Sequence, residues 1–169
     1  LLIRDSRIPV TRQTAPGLWD SLSSWRESRH LMLPHHLGFA LLAFASFGLN
    51  AWAPTVLIRE FDLTARTVGI FYGTLVVVTG MIGALGGGLI GDWTARHGSR
   101  VRAAIPLAIG IIIVALFVSG ANGQRLVFAG FGGISLLLSA ALVIGLGSIT
   151  DIVENKQQGV VSAVYLLFA

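Results

Sequence analysis

Between Gly88 and Arg102 the chain gathers one carboxylate and three guanidiniums: Gly88, Asp92, Arg96, Gly98, Arg100 and Arg102. The chemistry open to this set is electrostatic. A carboxylate within reach of arginines forms charge-assisted hydrogen bonds that hold neighbouring chain segments together. The segment joins two long apolar runs. At such a junction in a membrane protein, Arg and Lys collect at the cytoplasmic ends of spans, and a carboxylate can latch helix ends. The plainer reading of Asp92 is a loop acid that solvates the end of a span.

Other chemistry finds little support. Gly86-x-Gly88-x-x-Gly91 has the spacing of a dinucleotide-binding fingerprint, but that motif needs a strand before it and a helix after it in a βαβ unit. Here it lies inside an apolar helical run. The four histidines, His30, His35, His36 and His97, show no zinc-ligand spacing with another His or an acid, and read as solvated interfacial side chains. The apolar runs hold no ionisable acid or base, so no Ser/His/Asp set is expected, and the chain is not expected to be an enzyme. Without cysteine there is no disulfide framework and no thiolate ligand. No metal and no cofactor is expected.

The elements that must position the charged segment follow from composition. The chain is 54% hydrophobic and 12% charged, with mean hydropathy +0.78, whereas soluble domains are roughly 25% charged. Charges fall in patches separated by uncharged runs of about 19–24 residues, and about 20 helical residues cross a bilayer core of about 30 Å. The fold class is therefore all-α, a multi-span helical membrane protein. A pI near 10.7 could suggest nucleic acid, but no basic stripe interleaved with aromatics is present. The partner the composition implies is the lipid bilayer, not nucleic acid.

The expected spans run 37–58, 68–91, 101–121 and 126–149, with a further span starting at 159 and cut short by the end of the sequence. Residues 1–36 read as a polar loop, with either a solvated turn or a short interfacial helix over Leu18–Leu33 that places Trp19, Leu22 and Trp25 on one face. Pro54 is expected to kink or loosen the first span, and Thr64 or Thr67 to cap the second. Gly83, Gly87 and Gly91 recur every four residues, a small-residue stripe for close helix packing. Asn50 is the one strongly polar side chain of the first span, suited equally to a helix–helix hydrogen bond and to lining a cavity. Tyr72, Thr74, Ser135 and Ser139 are further cavity-lining candidates, although hydroxyls also bond back to their own helix.

The junction resembles a loop signature of the major facilitator superfamily, Gly-x-x-x-Asp followed by basic residues and a glycine. Gly88, Asp92, Arg96, Gly98, Arg100 and Arg102 carry the match. It departs from the plain form in having Trp93 after the acid and about three extra residues before the glycine, which is similar to the copy in that family's second half. Gly48-x-x-x-Trp52-x-Pro54-x-x-x-x-Arg59-x-Phe61 resembles the seventh helix and following loop of the spinster-like and organic-anion branch. Leu1–Arg7 resembles the end of a sixth helix, and Gln157–Ala163 the start of an eleventh.

The resemblance implies part of a C-terminal helix bundle, with residues 1–36 as the cytoplasmic central loop and 37–169 as transmembrane bundle. It implies a secondary transporter working by alternating access, with a small polar or organic-anion substrate and the missing N-terminal half of the same carrier as partners. Its implied location is the plasma membrane, bacterial inner membrane included. It also implies that Asp92 contacts helix ends and loop arginines to hold one closed state. A non-transporting module, such as a channel subunit or assembly partner, is the alternative, but a channel wants a continuous polar face and no span offers one.

With the N-terminal segment inside, nine Arg and Lys fall in inner loops against Arg59, Arg66 and Arg125 outside, the bias expected of cytoplasmic loops. A cysteine introduced at Ser99 is therefore expected to react with a membrane-impermeant maleimide from the cytoplasmic side only. Labelling of intact cells from outside would reverse the orientation.

Overall fold

The computed structural model of the chain describes residues 29–152. Four α-helices follow one another: α1 (Arg29–Phe61), α2 (Ala65–Arg96), α3 (Ala104–Ser119) and α4 (Gln124–Ile152), with a 3₁₀ turn over Arg100–Ala103 leading into α3. All four segments are long and apolar enough to cross a membrane, α3 when the 3₁₀ turn is counted with it. The chain is thus an all-helical membrane protein, and the short connections make successive helices run in opposite directions.

The helices overshoot the expected spans. At about 1.5 Å per residue, the 33 residues of α1 and the 32 of α2 are each longer than a bilayer core. Their ends therefore stand in the interface, and Asp92 and Arg96 lie on the last turns of α2, not in a loop. α3 has only 16 residues, and its 3₁₀ turn, with the longer rise of that geometry, brings the pair to about 32 Å. The first helix begins at Arg29 instead of Leu37, so residues 29–36 belong to it and not to a polar loop. It runs without a break through Pro34 and Pro54. The candidate Trp19/Leu22/Trp25 face and the segment from Gly159 lie outside the described residues.

Local chemistry explains the connections. α1 stops at Asp62, whose φ of 52° is a left-handed conformation that Asp tolerates better than most side chains. Thr64 then caps α2, its Oγ1 accepting from the Thr67 N–H at 3.2 Å. At the next turn Gly123 O accepts from the N–H groups of Leu126 and Val127 as α4 begins.

α4 is the central helix, packed chiefly on α2, then on α3 and α1. Its stripe Leu136, Ala140 and Ile144 meets Gly83, Gly87 and Gly91 of α2 in step, so the two helices run parallel. A Cβ at Gly83 would strike the Leu136 carbonyl, and one at Gly87 would lie 2.6 Å from Ala140 Cα. The outer faces are apolar, as a lipid-facing surface requires: Phe44, Phe47, Leu85, Leu89, Ile105 and Leu116 are all well exposed. Toward the α1–α2 turn, Ala53, Leu57, Val68, Tyr72, Val127 and Phe131 form an apolar cluster. The opposite end is polar.

Lipid tails are as apolar as the helix faces, so helix association rests on close packing. Gly87→Val is expected to destabilise the bundle by about 1–3 kcal/mol through overpacking. Gly86→Val, where nothing lies within 4 Å of the added Cβ, is expected to cost far less. Equilibrium unfolding in mixed SDS micelles compares the two.

Candidate functional site

The polar end is organised by Arg100, on the first residue of the 3₁₀ turn. Its Nη2 donates to Asp92 Oδ1 of α2 at 3.2 Å, and its Nη1 to Asp151 Oδ1 of α4 at 3.0 Å. Nη1 also donates to the Gly147 carbonyl at 2.9 Å, and the Arg100 backbone N–H points at Asp151 Oδ2 at 3.4 Å. One guanidinium thus ties the end of α2, the start of the α3 segment and the last turns of α4.

The side chain reaches these partners because the helices leave room for its stem. A Cβ at Gly91 of α2 would lie 4.0 Å from Arg100 Cδ, and one at Gly147 of α4 would lie 3.6 Å from it. The aliphatic part of the arginine therefore runs between two glycine faces while its head remains polar, the usual division for this residue. The Arg100 side chain is 22% exposed, against 30% for Asp151 and 66% for Asp92. Asp151 is the more sheltered carboxylate, and its bond is the shorter of the two.

The remaining signature residues shape the turn. Gly98 has φ of 145°, a region that L side chains rarely adopt, and a Cβ there would lie 2.8 Å from Arg102 Nη1. Arg96 and Arg102 are exposed, and among the described residues neither joins an ion pair. Gly88 faces open space. The α2 end is secured by Thr94, which bonds back to Ile90 and Gly91, and by His97, whose Nδ1 lies 2.8 Å from Trp93 O.

The expected cavity residues do not gather around one cavity. Tyr72 donates to Asn50 Oδ1 at 3.4 Å, and Asn50 Nδ2 donates to Ser46 O at 2.8 Å, so the amide is engaged in a helix–helix link. Thr74 is exposed, Ser135 is buried, and Ser139 faces Gly80 across the α2–α4 contact. Ser135 and Ser139 are thus taken up in the packing of α4 itself.

Two features escaped the sequence reading. Asp151, which lies just past the expected end of the fourth span at residue 149, is the acid that carries α4 to Arg100. Its spacing of 51 residues from Arg100 gives no local signal. The second is a histidine link. His35 Nε2 lies 2.6 Å from Ser148 Oγ, which itself donates to Gly145 O at 2.8 Å, and Ser148 is fully buried. His36 is buried too, its Nδ1 2.8 Å from Met32 O.

The expectation of solvated histidines and of spans free of ionisable bases is corrected for two of the four, because α1 starts early enough to bring His35 to Ser148 of α4 and to bury His36, whereas His30 and His97 are exposed. The helical spacing of Met32, His36, Phe39 and Ala43, all buried, was the available signal. Among the described residues no three His, Asp or Glu side chains come together as a metal site would need.

No protein-family model matches the chain, and neither a curated protein nor a solved structure shows significant similarity to it.

The unequal exposure of the two carboxylates has a measurable consequence. Asp92→Asn is expected to cost about 0.2–1 kcal/mol, as for an exposed ion pair. Asp151→Asn is expected to cost more, about 1–3 kcal/mol, because it weakens a sheltered charge-assisted bond. Unfolding of both variants in the same micelles checks the order.

Proposed function

We propose that the chain is part of a secondary transporter of the major facilitator type, moving a small solute by alternating access, with the Asp92–Arg100–Asp151 cluster as a latch at its cytoplasmic end. The observation that carries this reading is Arg100 itself. It is a signature arginine bonded at once to the signature acid on α2 and to a carboxylate on α4. A purely solvated loop would leave these charges apart. The residues that resemble the family's loop motif run from the last turns of α2 through Gly98 into the 3₁₀ turn before α3, a position that supports the latch reading.

The energetics suit a switch. Interactions of this exposure contribute about 0.3–2 kcal/mol each, enough to bias a conformational equilibrium severalfold without locking it. The glycine faces of Gly83, Gly87 and Gly91 keep α2 and α4 in close register, so the two helices move as one unit and the latch acts at their common end. The implied substrate class is a small polar or anionic solute. Its site lies between this bundle and the other half of the carrier, and the Asn50–Tyr72 link belongs to packing within this half. The implied location is the plasma membrane.

A solute-uptake screen on the intact carrier identifies the substrate, and variants then test the latch. Asp92→Asn is expected to insert and express normally while losing much of the uptake or exchange rate. Unchanged transport by that variant would remove the latch role, and an intact protein that moves no solute would favour a non-transporting membrane module.

A further inference from the structure

At the end of the bundle opposite Arg100 lies a cleft of about 310 Å³ lined by Thr67, Phe71, Gln124, Arg125 and Phe128. It lies between the first turns of α2 and of α4, the two helices that run parallel from this end into the membrane. The lining is graded by depth. On each helix a polar residue occupies the outermost turn, Thr67 on α2 and Gln124 with Arg125 on α4. On each helix a phenylalanine follows four residues after a polar one, Phe71 and Phe128, about 6 Å deeper at 1.5 Å per residue. The cleft therefore has a polar, cationic rim and an aromatic floor.

We propose that this cleft is a binding site for an anionic phospholipid, its phosphate at Arg125 and the upper part of one acyl chain across Phe71 and Phe128. Three observations favour a lipid over a free solute. The mouth opens between lipid-facing side chains, since Ile70 and Leu126 are each at least half exposed. The volume is at the small end of ligand sites, which run about 300–1,000 Å³, so it holds a headgroup and a few methylenes while the rest of the molecule stays in the bilayer. The order of polar rim and apolar floor matches the order of headgroup and chain along the membrane normal.

Charge supplies the selectivity. Arg125 joins no ion pair among the described residues. The other charges at this end, Arg59, Glu60, Asp62 and Arg66, are exposed on the end of α1, the following turn and the first turn of α2, and none of them lines the cleft. An arginine at the water–lipid boundary binds a phosphate oxygen through directed N–H donors, and basic pockets between spanning helices take anionic headgroups. The site depends only on the chain lying in a bilayer and is independent of the transport reading.

The test uses the full chain purified in a neutral detergent, with phosphatidylglycerol or phosphatidylcholine added back. Bound lipid is counted by native mass spectrometry and the thermal unfolding midpoint is followed in parallel. Phosphatidylglycerol is expected to bind in preference to phosphatidylcholine and to raise the midpoint. Arg125→Gln is expected to lose about tenfold of that preference, as for one charge-assisted bond. Phe128→Ala is expected to weaken both lipids alike. Arg59→Gln, which removes a charge at the same end but outside the cleft, is expected to keep the preference.

Equal loss in Arg59→Gln and Arg125→Gln would reduce the effect to general surface charge and overturn the site. Glycerol phosphate raising the midpoint as well as the lipid does would overturn it in favour of a soluble phosphate ester. Should Arg125→Gln not fold, Arg125→Lys with the wild type decides. Retained binding with a weaker preference supports the site, and an unaltered preference with no Phe128→Ala effect overturns it.

Discussion

One guanidinium placed between two glycine faces governs the polar end of this bundle. Arg100 serves three helical segments because its stem passes beside Gly91 and Gly147 and because Asp92, Asp151 and the Gly147 carbonyl supply acceptors at its head. A charge this sheltered, left without acceptors, would cost several kcal/mol of lost hydration. The carboxylates are the part it cannot do without: a Cβ at either glycine would meet the arginine stem at ordinary contact distance, whereas removing the acids would leave the charge uncompensated.

The two ion pairs do different work. Asp92 is eight residues before Arg100, so their bond closes the short turn between α2 and the α3 segment, where little chain entropy remains to be lost. Asp151 is 51 residues away, and its bond fastens a separate helix. The inter-helix hold at this end thus belongs to Asp151, reinforced by Arg100 donating to Gly147 and by the His35–Ser148 contact that fixes α1 to the same turns of α4. Asp92 keeps Arg100 aimed.

Much of the architecture was legible from residue types because bilayer burial is a coarse filter. Runs of uncharged residues gave the four helices of the described residues, Thr64 behaved as a local cap, and the four-residue recurrence of Gly83, Gly87 and Gly91 gave a packing face. Helix ends were less legible. Polarity marks where the lipid stops, whereas hydrogen bonding marks where the helix stops, and in α1 and α2 the two differ by several residues. The same confusion hid His35 and His36, whose polar character suggested a loop although their spacing with Met32 and Phe39 is helical. Asp151 was illegible for another reason: a contact between distant segments depends on how helices stack, and single-residue chemistry carries no record of that. Asn50 suits both a helix link and a cavity wall by residue type, and the nearby Tyr72 hydroxyl donates to it.

The two ends of the bundle are built from interactions with opposite sensitivities. At the α1–α2 turn, Leu57, Val68, Tyr72 and Phe131 are packed apolar contacts, non-directional and little affected by salt or small rotations. At the other end, a few directed bonds to one arginine hold the helices, and directed bonds fail once geometry shifts by an ångström or so. Partial exposure of Asp92 and Asp151 keeps these bonds in contact with water, which can replace either acceptor, so the ionic end is the more sensitive of the two to salt and to substitution. The asymmetry follows from where Gly91 and Gly147 let a charge enter the helix contact.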